Sequence, residues 1–109
     1  MDINEYQTWI ANFYKDRGWY DYNVFVRLNF LMEEAGELSQ AVRTHEIGRD
    51  HPGERVKSKE ETLVDVRDEI GDVLDAITIL ADKYGIGMDQ VMEAHKEKFK
   101  KRFALGDEE

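Results

Sequence analysis

The segment LMEEAGELSQAV, residues 31–42, carries Glu33, Glu34 and Glu37 within a mostly apolar stretch. Like charges three or four residues apart on a helix repel each other, so this placement needs a reason. On a helical wheel oriented by the two leucines and Ala35, Glu34 and Glu37 fall on the same flank of the apolar stripe, and Glu33 points nearly the opposite way. The spacing predicts that Glu34 and Glu37 converge on one point and that Glu33 faces solvent.

The segment RDEIGDVLDA contains a second acidic pair, Glu69 and Asp72, with Asp75 one step further round the helix. Two such pairs facing each other across a groove would form a nest of four carboxylates, which is destabilising without a cation. Hard oxygen ligands at this density suit Mg²⁺ or Mn²⁺. The pattern alone leaves open both a metal site and a solvated acidic face.

Helices are the elements that must position these side chains. Proline occurs once and alternating strand patterns are almost absent, so the chain is predicted to be all-α and to form one domain over residues 1–109. The predicted helices run from about 3 to 17 and end at Gly18, from about 22 to 45 and end at Gly48, from a Ser58–Glu61 capping box to Gly85, and from Met88 or Asp89 to about 103. Short connections between them favour an antiparallel four-helix bundle.

Apolar stripes predict which helix faces form the core. They comprise Val24, Leu28, Leu31, Ala35, Leu38 and Val42 in the second helix, and Leu63, Val66, Ile70, Val73, Leu74, Ile77 and Ala81 in the third. Residues 48–58 are predicted to be a basic surface loop, and residues 104–109 a frayed acidic tail. The basic side chains in and beside the loop could cover a polyphosphate, although charged loops are usually just exposed; they are Arg49, His51, Arg55, Lys57 and Lys59.

Composition excludes several classes of function. The net charge of −9 would repel a nucleic acid polymer or an anionic membrane surface. The absence of cysteine removes disulfides, thiolate metal sites and cysteine nucleophiles. No apolar run approaches the roughly 18 residues of a membrane span, so a cytoplasmic location is expected. An acidic protein that handles phosphate would need metal ions or a local basic cluster.

The acidic motifs also resemble those of a known family. EEAGE followed by EIGD is similar to the EExxE and ExxD signature of the MazG-type nucleotide pyrophosphohydrolases, whose all-α superfamily includes dimeric dUTPases and phosphoribosyl-ATP pyrophosphohydrolase. The resemblance implies that Glu34, Glu37, Glu69 and Asp72 bind Mg²⁺, with Mn²⁺ as a substitute. It also implies hydrolysis of a (d)NTP to the monophosphate and diphosphate, a reaction suited to cleaning the nucleotide pool. Glu37 is our choice for the residue that takes the proton of the attacking water.

Further candidate residues come from the same resemblance and from the aromatic residues near the first helix. The segment KFKKR resembles the family's KFxxR element, which implies that Lys98 and Arg102 bind phosphate. Trp9, Phe13 and Trp19 are candidates for stacking on the base, although aromatic residues at helical spacing are more often core or dimer interface. A short chain with an aromatic first helix, together with the superfamily resemblance, predicts a homodimer or homotetramer.

Three other functions are alternatives to a MazG-type pyrophosphohydrolase. A di-iron protein would need Glu-x-x-His pairs, and none of the three histidines has a glutamate three residues before it. A non-enzymatic helical module could use the acidic face to bind a basic partner. The third alternative is a protein more similar to the dUTPases or to phosphoribosyl-ATP pyrophosphohydrolase.

His95 falls on the apolar side of the fourth helix and is predicted to be a packed residue rather than a ligand.

Overall fold

The computed structural model describes residues 1–48, 52–53 and 55–106, and within those ranges it contains four helices and no strand. The helices are α1 (Ile3–Asp16), α2 (Val24–Ile47), α3 (Lys59–Lys83) and α4 (Met88–Arg102). The all-α prediction is confirmed, and the observed boundaries lie close to those predicted. Arg49 and His51 of the predicted loop, and residues 107–109 of the predicted tail, lie outside the described residues.

The predicted capping box opens α3. The Ser58 hydroxyl accepts a hydrogen bond from the Glu61 backbone N–H at 3.1 Å, and the Glu61 carboxylate accepts one from the Ser58 backbone N–H at 3.2 Å. These two bonds satisfy donors that the first turn of a helix leaves without a partner. The start of α3 is therefore fixed by local sequence.

Glycines end α1 and α3, also as predicted. Gly18 and Gly85 have φ of +75° and +70°, a region that residues with a Cβ rarely adopt. After Gly85, the N–H of Ile86 donates to the carbonyl of Ala81, and the glycine N–H donates to that of Asp82. This pair of bonds is a Schellman motif, which satisfies the last carbonyls of the helix and turns the chain away.

The chain divides into two compact units. The first comprises residues Met1–Asp21 and the described residues from Thr78 onward, and the second comprises Tyr22–Ile77. The core of the first unit consists of Ile10, Ala11 and Ile79, with four partly buried aromatic residues packed against it: Tyr6, Phe13, Tyr14 and Tyr20. The first unit thus joins α1, the end of α3 and α4. That the whole chain is one domain stays a prediction.

Gln7 is a buried polar residue that connects three segments of the first unit. Its side-chain NH₂ donates to the Asp82 carboxylate at 3.1 Å and to the Ile86 carbonyl at 2.9 Å. Its side-chain oxygen accepts a bond from the Met88 N–H at 2.7 Å, in the first turn of α4. The Tyr20 hydroxyl donates to the other oxygen of Asp82 at 2.7 Å. Each of these buried or half-buried side chains therefore has a partner.

In the second unit, α2 runs antiparallel to the first part of α3. His45, near the end of α2, lies 2.8 Å from the hydroxyl of Thr62, near the start of α3, measured from its ring Nδ1. The Lys59 ammonium donates to the His45 carbonyl at the same end of the helix pair. Glu34 and Glu69, further along both helices, also come together. An antiparallel pair brings acidic residues in the middle of α2 beside those in the middle of α3.

The face that α2 buries differs from the predicted apolar stripe. Leu28 and Val42 are 47% and 43% exposed, and Ala35 is also exposed, whereas Arg27 is only 5% exposed. The guanidinium of Arg27 lies over the rings of Tyr22 and Phe30, so its planar cation packs in place of an aliphatic side chain. The prediction was wrong about half of the stripe, because the apolar surface of α2 is wider than one neighbouring helix covers.

Eight of the uncovered apolar residues of the second unit form two regular series, which we call the open apolar face. On α2 the series steps by three or four residues from Phe25 to Ala35 and then by seven to Val42, which matches the spacing of a coiled-coil seam; on α3 it steps by seven. Its exposed members are Phe25, Leu28, Met32, Ala35 and Val42 on α2 and Leu63, Ile70 and Ile77 on α3. On helical wheels both series point about 100° away from the contact between the helices, on the side opposite Glu37 and Asp72.

Candidate metal centre

Four carboxylates converge where α2 and α3 lie side by side. Glu34, Glu37, Glu69 and Asp72 each offer an oxygen atom, and these oxygens all lie within 4.8 Å of one another. Residues three apart on one helix share a face, so each helix contributes a pair, and the antiparallel packing brings the pairs together. Glu33 is exposed. The structure therefore joins the four residues that the sequence predicted to converge.

Two oxygens of this cluster are buried without a partner. The Oε2 atoms of Glu34 and Glu69 are inaccessible to solvent, and no donor from the described part of the chain reaches them. An unsatisfied buried acceptor costs free energy, and a charged one costs more than a neutral one. Such atoms in a folded protein call for a ligand that the polypeptide does not itself provide.

The raised pKa values of two clustered carboxyl groups also indicate a site for a cation. Burial is the main cause that raises the pKa of Glu34 to about 7, and the nearby charges of Glu37 and Asp72 raise it further. Burial, followed by the charge of Asp72, also raises the pKa of Glu69. Both shifts have the sign expected when carboxylates crowd together out of water. A cation placed among them would reverse these shifts by favouring the charged forms.

The residues present fit a divalent metal ion. All four donors are carboxylate oxygens, which Mg²⁺ and Mn²⁺ prefer over softer metals. Metal–oxygen bonds of about 2.1 Å place opposite ligands about 4.2 Å apart, and two ions that share carboxylates spread their ligands wider. Oxygens within 4.8 Å of one another approach this spacing. The buried Oε2 atoms of Glu34 and Glu69 would gain the partner that they lack.

A groove of about 550 Å³ extends from the cluster along the helix pair. Glu37 and Glu69 line it together with Arg55 and Lys57, which precede α3. Two further acidic residues of α3, Asp65 and Asp68, and the uncharged Gln40, Ala41 and Thr44 of α2 complete the lining. The groove therefore combines two of the four clustered carboxylates with two cations.

The sequence of this chain matches one family model over most of its length. A family model described as the MazG nucleotide pyrophosphohydrolase domain matches residues 26–104, which is more than half of the chain. This chain belongs to the MazG family. The match includes Glu34, Glu37, Glu69 and Asp72. Two properties of this family concern the carboxylate cluster. Its members are nucleotide pyrophosphohydrolases, and they generally depend on a divalent metal.

One relative is similar to this chain over nearly the whole length of both proteins. YvdC of Bacillus subtilis (strain 168), described as an uncharacterized protein, is 50% identical over 103 residues, which cover 94% of this chain and 97% of YvdC. No solved structure gives a significant match. No helix in the described part of this MazG protein is long and apolar enough to cross a membrane.

The predicted phosphate-binding residues of this MazG domain lie in the first unit. Lys98 and Arg102 are exposed on α4, and the Arg102 guanidinium lies 5.8 Å from the centre of the Phe99 ring. His95 is also exposed, with its ring 4.6 Å from that of Phe99, so the prediction that it is packed was wrong. Phosphate binding by Lys98 and Arg102 stays a prediction.

The predicted base-stacking residues also lie in the first unit, outside the part that matches the MazG model. Trp9 and Trp19 are 56% and 42% exposed, and Phe13 is half-buried between them. The Phe13 ring stacks on Trp9 at 5.3 Å and lies 6.1 Å from Trp19, and the Arg17 guanidinium covers it at 3.6 Å. Trp9 and Trp19 therefore have exposed ring surface on which a base could stack. Base stacking itself stays a prediction.

The sequence indicated Arg55 and Lys57 only as members of a basic loop that could cover a polyphosphate, without singling out either residue. Their exposed loop gave no more than a general basic signal, because helical periodicity cannot place a side chain outside a helix. The usable clue was that the basic segment directly precedes the acidic helix α3. Only the folded chain shows that both residues line the groove beside Glu37 and Glu69.

Proposed function

We propose that this MazG domain is a metal-dependent pyrophosphohydrolase that converts a (d)NTP and water to the (d)NMP and diphosphate. The observation that carries the proposal is the four-carboxylate cluster with its buried, unpartnered oxygens on Glu34 and Glu69. These two residues, with Glu37 and Asp72, would hold Mg²⁺ or Mn²⁺. The bound ion would supply charge neutralisation on the phosphates and a lower pKa for the attacking water.

Glu37 is the proposed general base. It is exposed and lines the groove, whereas Glu34 and Glu69 each have one oxygen buried in the cluster. A group that removes a proton from water must reach that water within hydrogen-bonding distance. Glu37 would therefore orient the water with one oxygen and accept its proton as the water oxygen bonds to the α-phosphorus. The bond from that phosphorus to the α–β bridging oxygen breaks, and the diphosphate leaves with the electron pair of that bond.

The proposal includes a homodimer or homotetramer. The open apolar face presents large side chains such as Phe25 and Met32, exposed by 79% and 63%, along both helices of the second unit. Contiguous apolar surface of this kind is typical of interfaces between subunits. A second copy is the proposed occupant because the same face on each chain can pair with itself through a two-fold axis. Met32→Glu is expected to shift sedimentation towards monomer, and an all-monomer wild type would refute the proposal.

The decisive test is diphosphate release from a panel of canonical and modified (d)NTPs, measured with Mg²⁺, with Mn²⁺ and with a chelator. At least one nucleotide should be hydrolysed, and only with a divalent ion. Glu34→Gln should abolish the reaction, because it removes an anionic donor from the cluster. Glu33→Gln is the matched control, because Glu33 is exposed and outside the cluster, and it should leave activity nearly unchanged.

The same variants separate this proposal from the non-enzymatic acidic module. For a module, every nucleotide in the panel would survive, and Mg²⁺ would leave the melting temperature almost unchanged. For the enzyme, metal that binds the native state should raise the melting temperature, and Glu34→Gln should remove most of that rise. If Glu33 proved essential and Glu34 dispensable, the assignment of the cluster would be wrong.

A further inference from the structure

We propose that Arg55 and Lys57 form a subsite for the β- and γ-phosphates of the nucleotide, the part that leaves as diphosphate. This inference rests on the proposed pyrophosphohydrolase function and adds to the carboxylate centre a set of residues that bind the leaving group. Its basis is that both cations line the same groove as Glu37 and Glu69. A phosphate chain held at the carboxylates through a metal ion could extend along this groove to the two cations.

The lining of the groove selects a polyanion over a nucleobase. A base is usually held by aromatic or apolar side chains, and the lining contains no aromatic residue; Ala41 is its one apolar side chain. Gln40 and Thr44 add neutral hydrogen-bond donors along α2. Guanidinium and ammonium groups are the side chains that form charge-assisted hydrogen bonds to phosphate oxygens.

The charge of the groove explains why these two cations are needed. Besides Glu37 and Glu69, the lining includes Asp65 and Asp68, which would repel a phosphate chain that runs past them. Metal ions offset negative charge only near the clustered carboxylates. Arg55 and Lys57 supply positive charge at the other acidic residues, so they make the rest of the groove acceptable to a polyphosphate.

Both cations can be released from their present partners at low cost. Arg55 pairs with Glu61 and Lys57 pairs with Asp65, each at 2.7 Å, and neither pair is buried. Exposed ion pairs contribute little to stability, so exchanging a carboxylate for phosphate costs little. Glu61 would still accept the Ser58 N–H after Arg55 leaves, so the start of α3 would not depend on the exchange.

The test is calorimetric titration of the protein with inorganic diphosphate at saturating Mg²⁺, alongside steady-state kinetics. Arg55→Gln and Lys57→Gln should each weaken diphosphate binding about tenfold or more, the value of a charge-assisted hydrogen bond. The KM for the triphosphate should rise while kcat changes less. Affinity for the nucleoside monophosphate, which lacks these phosphates, should not change.

Two controls separate phosphate binding from a structural role. Arg67→Gln removes an exposed arginine of α3 that pairs with its neighbour Asp68 and does not line the groove; diphosphate affinity should stay at the wild-type value. Glu61→Gln keeps an acceptor for Ser58 but removes the charged partner of Arg55, and affinity should be retained. If Arg55 acted only through this ion pair, Glu61→Gln would lose affinity as Arg55→Gln does, which would overturn the subsite.

The outcomes also distinguish this inference from the function on which it rests. A wild-type protein that hydrolyses a (d)NTP, with Arg55→Gln and Lys57→Gln variants that bind diphosphate normally, would overturn the subsite and leave the function standing. A wild-type protein that neither hydrolyses any nucleotide nor binds diphosphate with Mg²⁺ would overturn both.

Discussion

Gln7 in the first unit and the carboxylate cluster in the second unit treat buried polar groups in opposite ways. In the first unit, the side-chain amide of Gln7 donates to Asp82 and Ile86 and accepts from Met88, so both ends of the amide are satisfied. In the second unit, the buried Oε2 atoms of Glu34 and Glu69 have no donor among the described residues. The Gln7 network joins three segments through polar contacts, whereas the carboxylate cluster leaves two buried oxygens without a donor among the described residues.

This difference teaches where function resides in a small helical protein. Natural sequences satisfy nearly all buried polar groups, and the exceptions concentrate at sites that bind something. Gln7 has partners because its role is structural. Glu34 and Glu69 bear mutual repulsion because their partner, in the proposed function, is a metal ion.

The largest expected effect comes from removing a charge in the unmatched cluster. Glu69→Gln should lower kcat/KM about a thousandfold or more, roughly 4 kcal/mol of transition-state stabilisation, because an anionic metal ligand is lost. The same change should raise the melting temperature of the metal-free protein, since it removes a buried charge. Nucleotide hydrolysis and thermal unfolding in chelator measure the two effects. Glu60→Gln, exposed in the first turn of α3, is the control for both.

A loss of stability, in contrast, is expected when the hydrogen bonds of Gln7 are removed. Gln7→Leu should lower the free energy of unfolding by roughly 2–3 kcal/mol, because the buried Met88 N–H loses its acceptor and the Asp82 carboxylate loses the bond from Gln7 while it keeps the bond from Tyr20. Urea unfolding measures the change, with Thr8→Ala on the exposed side of α1 as control. A stability gain from Gln7→Leu would show that the two units do not differ in the way described.

The free energy of unfolding should depend on pH through the protonation of Glu34. Its pKa of about 7 in the folded protein lies above the ordinary value of 4.5, so the native state binds this proton more tightly than the unfolded state does. The stabilisation is complete below about pH 4.5 and is lost as the pH rises through 7. In chelator, wild type should therefore lose more stability between pH 5 and 7.5 than Glu34→Gln does.

Metal should reverse that trend, because Mg²⁺ binds the deprotonated carboxylates and competes with the proton. Urea unfolding of the wild type at both pH values, with Mg²⁺ in place of chelator, measures this reversal. Equal pH dependence of wild type and Glu34→Gln in chelator would contradict the assignment of the proton to Glu34.

The smallest effect concerns the edge of the satisfied network. Tyr20→Phe removes one hydrogen bond to Asp82, which keeps its bond from Gln7, so a loss of about 1 kcal/mol is expected in urea unfolding. Burial, together with the Asp82 carboxylate, raises the pKa of Tyr20 to about 12. Ultraviolet titration of the wild type should show one tyrosine that ionises later than the others, and the Phe variant should lack it.

Much of the fold could be predicted because its determinants are local. The Ser58–Glu61 capping box and the glycines at 18 and 85 set helix ends through bonds within a few residues, so the sequence suffices to place them. The convergence of the acidic pairs was also predictable, since three-residue spacing puts each pair on one face whatever the neighbour is. The metal and phosphate roles of these residues stay predictions.

By itself, the sequence determined the helices, their ends and the identity of the acidic pairs, because periodicity and capping act within one or two turns of chain. The tertiary structure decided which part of each wide apolar stripe is covered. It buried Arg27 and exposed Leu28, since a helix pair has one contact line and the stripe of α2 extends past it. It also brought Arg55 and Lys57 from a loop without periodicity to the groove beside Glu37. Local sequence cannot specify such contacts, because they depend on where a distant segment returns.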